Sequence, residues 1–552
     1  MIILQWQEDY SGAPQARQAQ EMAQQMGDQP ETFSQQALQN QDVPLETKSG
    51  AEDVPVAPVE NAAQLPQQIS QPAQGIIHVE TDVFKLRINP VGGDIVHVGL
   101  KDYPVSLDQP DIPFTLLESN ASHTYVAQSG LIGPNGADAS KDGRPHYSSS
   151  KTQYTLDGDS LTVDLQFEQP NGAVITKSYD FNRGSYEINT RITVDNRSAE
   201  NWQGALYGQI KRDNSKDPGM DSASSFGLPT YLGGAYWDVE QAYNKIDFED
   251  MQESPLNKKI QGGWLAMIQH YFMSAWVPDQ NQTHHYNTRV SNGFNIIGFT
   301  SPKVTVPAGQ QHQFGAKFYA GPKIQEDLQA LLPGKGMDLA IDFGPLFFIS
   351  ELLTSILKFF HSIFNNWGVA IILLTVLVKL IFFYPSAISY KSMAKMRKVA
   401  PEMTRLREQC GDDRQKLSQE MMALYKKEKI NPLGGCLPIL IQMPVFLALY
   451  WALLESVELR QAPFMLWIQD LSVMDPYFVL PLLMGGSMFV QQLLNPAPPD
   501  PMQAKVMKMM PIIFTVMFLW FPAGLVLYWV TNNILSIAQQ YVITKRIEAG
   551  GK

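Results

Sequence analysis

The 552-residue chain is 17% charged and 11% aromatic, and its mean hydropathy of -0.16 excludes a protein buried in lipid throughout while leaving room for several domains. The charge is unevenly spread: from Pro345 onward 19 Lys and Arg stand against 13 Asp and Glu, and before it 23 against 41, so the front part offers no footprint for nucleic acid. Only two cysteines occur, Cys410 and Cys436, which excludes a disulfide framework in the front part and any Cys-rich zinc site.

Met1 to Trp6 form an apolar run of six residues, too short for a signal-peptide core or an anchor. The segment behind it is rich in Gln, Ala, Pro and Glu, so residues 1–75 are predicted to be a truncated anchor remnant and a disordered linker. Six such residues are not expected to carry an acidic domain across a membrane. The expectation is that the sequence begins at an internal methionine, with about fifteen more apolar residues upstream to complete a span.

From 76 to 335 the texture changes to short β-branched and aromatic runs broken by turn residues. Val83, Lys85 and Arg87 alternate with Phe84, Leu86 and Ile88, the period of a half-buried strand. Residues 154–156 and 161–167, on either side of Asp157-Gly158-Asp159, read as a hairpin. Further strands are predicted at 173–181, 186–195, 204–211, 263–276, 293–299 and 311–319, which together make a large antiparallel sandwich. His78, His97, His270, His284 and His285 show no metal-ligand spacing, and the acidic residues form no paired constellation. No metal, cofactor or catalytic residue is assigned.

Residues 345–366 read as an amphipathic helix at a bilayer surface, with Glu351, Thr354, Lys358, His361 and Asn365 recurring at three and four. Residues 367–385 are long enough to cross a bilayer but carry Lys379 in their second half. A charge well inside hydrocarbon costs roughly 2.5–3.5 kcal/mol, so Lys379 should face a protein interior or wet cavity, or else snorkel to the headgroups. Thr375 lies one turn back on the same face, and Tyr384 near the end. Residues 386–431 hold eleven Lys and Arg and belong on the cytoplasmic side. Their apolar stripes, with Pro401 in the first turn of a new helix and a stop at Gly411, predict a helical hairpin.

Residues 433–455 form the next span, weakened by Pro438 and Pro444 and carrying Gln442. An acidic loop on the outer side leads to a span at 477–494. The last apolar stretch is interrupted by Pro522-Ala523-Gly524, and a turn there keeps Lys508, Lys545 and Arg546 on one side, giving spans at 506–521 and 523–541 and a short cytoplasmic tail at 542–552. As a helix, 509–521 rises roughly 20 Å against a ~30 Å core, a mismatch that thins the bilayer.

The stretches Asn431–Leu453, Asp500–Gln503 and Leu519–Trp529, with Gly262–Trp264 and Ser392–Arg397, resemble the YidC/Oxa/Alb family of bacterial membrane insertases in its long proteobacterial form. The resemblance implies a polytopic α-helical membrane core of five helices preceded by a large all-β periplasmic sandwich, in the inner membrane. It also implies a groove open to cytoplasm and lipid and closed outward, in which one basic residue receives polar parts of an incoming chain. The family's usual arginine is replaced here by Lys379, which keeps the charge and loses the bidentate fork. Thr375, Gln442, Met443, Phe446, Trp520, Tyr528 and Trp529 fall at positions that line this groove or the adjoining slide. The implied function is to insert and help fold nascent inner-membrane proteins, alone or with the Sec translocon, with the ribosome and signal recognition pathway as further partners and the lipid bilayer as medium. No phosphate-binding loop of the G-x-x-x-x-G-K-[ST] kind is present, and no enzymatic activity is implied. The rivals are a secondary transporter or channel, which normally shows repeated halves absent here, and a sugar-binding envelope protein.

Overall fold

Along Phe84–Asn89 every second side chain is buried, Phe84, Leu86 and Ile88 fully so. The alternation recurs in Ser160–Glu168 and Glu187–Asp195, where one face meets the core, whereas Thr124–Ile132, Trp202–Arg212 and Phe272–Pro278 are buried on both faces. The structure, a computed structural model, describes residues 75–140, 143–216, 230–411, 413–428, 437–495 and 501–548. The expectations for the N-terminal anchor remnant and linker, for Asn431–Cys436 and for Asp500 lie outside the described residues.

An 11-stranded and a 9-stranded sheet, almost wholly antiparallel, pack into one sandwich. Trp276 joins them: its ring lies 6.3 Å from Phe299 of the other sheet, and its Nε1 donates to the Gln209 carbonyl at 3.1 Å. Tyr125 and Ser274 share a hydrogen bond of 2.7 Å across the same interface. Two strand expectations are corrected. Residues 154–167 are not a hairpin: Gln153–Thr155 pairs in parallel with Ile77–Glu80, whereas Ser160–Glu168 pairs with Val174–Asn182 in the other sheet. The Asp157-Gly158-Asp159 turn therefore carries the chain between sheets, where Arg183 holds the Asp157 and Gly158 carbonyls. Residues 263–276 are two strands, Leu265–Ile268 and Phe272–Pro278, folded back on each other.

Behind the sandwich come α1 (Phe347–Phe364), α2 (Trp367–Ile381), α3 (Phe383–Cys410), α4 (Arg414–Glu428), α5 (Leu437–Glu455), α6 (Val479–Leu494), α7 (Pro501–Phe518) and α8 (Ala523–Glu548). The Asn366 side chain caps α2 by accepting from the Val369 amide. The chain bends by 68° between α2 and α3, at Phe382 rather than after Pro385. Pro385 instead occupies the first turn of α3, where its missing N–H costs nothing. Pro401 lies inside α3 and not in the first turn of a new helix, while Gly411 ends α3 with a positive φ of 53°. Between α7 and α8 the chain turns at Pro522, and the α5–α6 loop supplies the acceptors that the start of α8 needs: the Ala523 amide donates to Val473 at 2.7 Å and that of Gly524 to Leu471 at 2.9 Å. Asp475 caps α6 through the Tyr477 and Leu480 amides and also accepts from Trp467.

By length and apolarity α1 could itself cross a bilayer, but its partners set it apart. Its polar side turns to the sandwich connector and the α5–α6 loop, where Lys358 pairs with Glu326 at 2.8 Å and Glu458 at 3.0 Å, and Glu351 accepts from Gln325. Phe348, Leu352, Phe359 and Ile363 on the other side are exposed. The sandwich and bundle are further tied by a buried ion pair, Lys323–Glu455 at 2.7 Å, and by Arg460 and Gln461, which both donate to the Pro104 carbonyl.

Candidate functional site

The sandwich offers no reactive constellation among its described residues. One buried cluster of charges is satisfied from within: Arg144 bridges Asp94 and Asp138, and Lys177 donates to the Gly92 and Ser129 carbonyls. Burial pushes the Lys177 ammonium down to about 8. All four side chains are closed off from solvent, so this cluster reads as a satisfied polar core.

The bundle is different. Lys379 is the one charged residue of α2, half-buried among the helices, and its Nζ donates to Ser536 Oγ of α8 at 2.8 Å. Tyr390 of α3 is buried beside the same serine, so three helices converge on one polar node. Ser536 belongs to a ladder along α8, with Asn532, Gln540 and Thr544 one turn apart and Asn533 beside them, all buried. Asn533 reaches Ser487 of α6 at 2.9 Å, and Gln540 reaches the end of α6 through Leu494 and Asn495. Asn532 Oδ1 and Trp529 Nε1 are buried and bond to no described residue. A seam of amides and hydroxyls with open hydrogen-bonding capacity inside an apolar bundle suits water or a polar chain segment.

One turn toward the other end of α8, Tyr528 accepts a hydrogen bond of 2.5 Å from Gln442 of α5. Phe446 stacks on Tyr528 with centroids 6.5 Å apart and meets Trp529 edge-on at 4.6 Å. Met443, beside them on α5, is 50% exposed, an adaptable apolar surface. Gln442, Phe446, Tyr528 and Trp529 thus form one contiguous patch. Trp520 lies in the α7–α8 turn and is 39% exposed. Thr375 is fully buried and donates to its own helix at Ile371 O, 2.7 Å away, so its hydroxyl is spent locally. Ser536, Tyr390 and the rest of the ladder escaped the sequence reading. The signal was present as polar residues four apart at 532, 536, 540 and 544 within an apolar run, a helical face with only one destination.

An all-β domain docked on short apolar helices that enclose a cationic polar seam defines a membrane protein built to hold polar groups within an apolar body. Comparisons narrow this. The model of the YidC periplasmic domain matches residues 76–356, and that of the 60Kd inner membrane protein matches residues 359–550. A membrane protein insertase YidC from Marinomonas sp. is 54% identical over 551 residues, covering 99% of this chain and 96% of that relative. The Stutzerimonas stutzeri protein of the same name is 52% identical, covering 100% and 97%. A crystal structure of an active YidC insertase with its first transmembrane domain resolved aligns over 86% of this chain and 93% of that one, with a TM-score of 0.37 and 16% identity. The chain belongs to the YidC family of membrane protein insertases of the inner membrane. The large β-sandwich followed by a helical membrane region is the expected architecture, and the transporter and sugar-binding readings find no support.

Proposed function

We propose that Lys379, with the polar ladder of α8, receives the hydrophilic part of an arriving inner-membrane protein, and that the patch of Gln442, Met443, Phe446, Tyr528 and Trp529 guides its apolar helix into lipid. Thr375 packs behind this groove and Trp520 stands at its outer end. The single observation that carries the proposal is a lysine held by Ser536 with no carboxylate partner among the described residues. An unneutralised cation in a polar seam lowers the cost of bringing an acidic or polar tail part-way across. Several helices are short: α2 has 15 residues and α6 has 16, rising roughly 22–24 Å against a ~30 Å hydrocarbon core. A locally thinned membrane shortens the remaining path. The substrate's own span then leaves sideways, driven by about 0.8 kcal/mol per buried methylene.

In this reading the sandwich lies in the periplasm, α1 rests on the outer surface, and the basic α3–α4 hairpin lies in the cytoplasm, where ribosome and signal recognition partners deliver nascent chains. The Sec translocon is the natural neighbour for larger substrates. Site-specific photocrosslinking tests the proposal. Probes at Gln442, Met443 and Phe446 should capture an arrested single-span substrate, while a probe at exposed Leu483 of α6 should not. Equal capture at all four positions would sink the groove assignment.

A further inference from the structure

The first half of α3 has two unlike sides. Ser386, Ser389, Tyr390, Met393 and Ala394 are buried against the bundle, whereas Tyr384, Ile388, Lys391 and Lys395 are exposed and follow one another at steps of four, three and four, which sets them within an arc of about 60° on the opposite side. The direction of that arc is fixed. Gln539 of α8 donates to the Phe383 carbonyl at 3.0 Å, and Lys398 donates to the Ile547 carbonyl of α8 at 2.8 Å, so α3 is pinned to α8 at both ends of the segment. Along its length the exposed face changes chemistry. Its root continues an apolar surface from the end of α2, where Leu380 and Ile381 are exposed like Tyr384 and Ile388. One turn further it is cationic: residues 383–400 carry Lys391, Lys395, Arg397 and Lys398 and no Asp or Glu. Neither Lys391 nor Lys395 pairs with a carboxylate among the described residues. One helical turn separates their Cβ atoms by about 5–6 Å, so both ammonium groups can reach one phosphate.

The bend between α2 and α3 supplies the partner, given the bilayer placement of the bundle in the proposed function, on which this inference rests. With α2 along the membrane normal, a bend of 68° lets α3 leave the membrane plane by only about 8 Å between Tyr384 and Lys398, about the depth of one head-group layer. A nucleic acid matches the lysines but not the isoleucine in register with them. An anionic bilayer surface matches both, with the apolar side chains at the acyl boundary and the lysines reaching up to the phosphates. We propose that this face of α3 is a seat for anionic phospholipid of the cytoplasmic leaflet, with Tyr384 and Ile388 at the acyl boundary and Lys391 and Lys395 on the phosphate. The seat holds the root of the α3–α4 hairpin to the membrane surface.

The test uses the full chain with a photoreactive amino acid at exposed Ile388, reconstituted into bilayers of choline phospholipid with a minor share of anionic glycerol phospholipid, and identifies lipid adducts by mass. The anionic lipid should be enriched at Ile388 over its bulk share by about fivefold for each engaged lysine. K391Q with K395Q should return the adducts to the bulk share, whereas K391R with K395R should keep the enrichment. K416Q, at an exposed position of α4, should leave it unchanged. A probe at exposed Leu483 of α6 should give adducts in the bulk share, which reports independently that the bundle lies in the bilayer. Adducts at Leu483 but none at Ile388, adducts at Ile388 in the bulk share, or an enrichment that survives K391Q with K395Q would overturn the seat while the proposed function stands. Adducts at neither position would remove the bundle from the bilayer, and the seat with it. Capture of RNA at Ile388 on adding ribosomes, with loss of the lipid adducts, would assign the face to nucleic acid instead.

Discussion

Lys379 of α2 and Ser536 of α8 lie 157 residues apart in the chain and 2.8 Å apart in space. Ser536 Oγ in turn donates to the Asn532 carbonyl at 2.7 Å, so the serine fixes where the ammonium points without neutralising it. Ser536→Ala should therefore loosen Lys379 while keeping its charge, lowering the initial insertion rate several-fold, in line with about 1.5–3 kcal/mol for a hydrogen bond to a charged group and reduced by partial replacement with water. Ser536→Thr, which keeps the hydroxyl, should restore most of the rate. A rate unaffected by Ser536→Ala would remove the serine from the groove.

The sandwich and bundle should uncouple when Lys323 loses its charge. Glu455 ends α5, where the helix dipole already disfavours a carboxylate, and Lys323 offsets this at 2.7 Å with both side chains buried. Lys323→Met leaves a buried carboxylate unpaired, a change that costs roughly 3–5 kcal/mol. Hydrogen exchange at the junction segments around Lys323, Ala340 and Glu455 should rise sharply, and adding Glu455→Met should bring protection part of the way back. Unchanged exchange in Lys323→Met would contradict the coupling.

Acid should weaken the sandwich through His97. Burial first, then the Arg87 guanidinium that donates to its Nδ1 at 3.2 Å, hold its pKa down at about 3 from an ordinary 6.5. The native side chain then stays neutral while the unfolded chain takes up a proton below 6.5, so stability is full above that pH and falls as pH drops toward 3. Between pH 6.5 and 5, before most carboxylates titrate, denaturant midpoints of the full chain's sandwich transition should decline. His97→Gln should flatten that decline, and an equal slope in both would exclude His97 as its source.

The α3–α4 hairpin carries basic charge and methionines on its surface and folds on itself through contacts such as Tyr425 Oη to Met403 Sδ at 3.9 Å. Deleting residues 403–423 should slow insertion without lowering the thermal stability of the remaining bundle, because the hairpin lies outside the buried bundle cluster. An unchanged rate would leave the hairpin a passive solvated face.

Composition and periodicity made the two-part architecture legible, since period two over Phe84–Asn89 and apolar runs from 345 onward are direct consequences of burial on one face or all round. Lys379 was legible because a lone charge in a span has few fates. Strand pairing was not: residues 154–156 and 161–167 have a sound hairpin turn between them, and only the competition of two sheets for their edges decides against it. The Lys379–Ser536 contact was also hidden, because spacing along α8 marks a polar face but says nothing of which helix meets it. The bend at Phe382 escaped notice because a phenylalanine carries no break signal, whereas the nearby Pro385 does, and in the structure Pro385 sits in the first turn of α3, where a proline is tolerated.

In the proposed function the charge at position 379 receives the translocated tail. The most direct measurement of that role is insertion of a purified single-span substrate with an acidic translocated tail into liposomes holding this chain and no nucleotide. The wild-type chain and Lys379→Arg should insert at similar rates. Lys379→Leu should be slower by about tenfold or more, as an uncompensated charge in a low-dielectric site predicts, and Lys379→Glu slower still. A neutral-tailed substrate should narrow these differences. Normal insertion of the acidic-tailed substrate by Lys379→Glu at native protein levels would contradict the account.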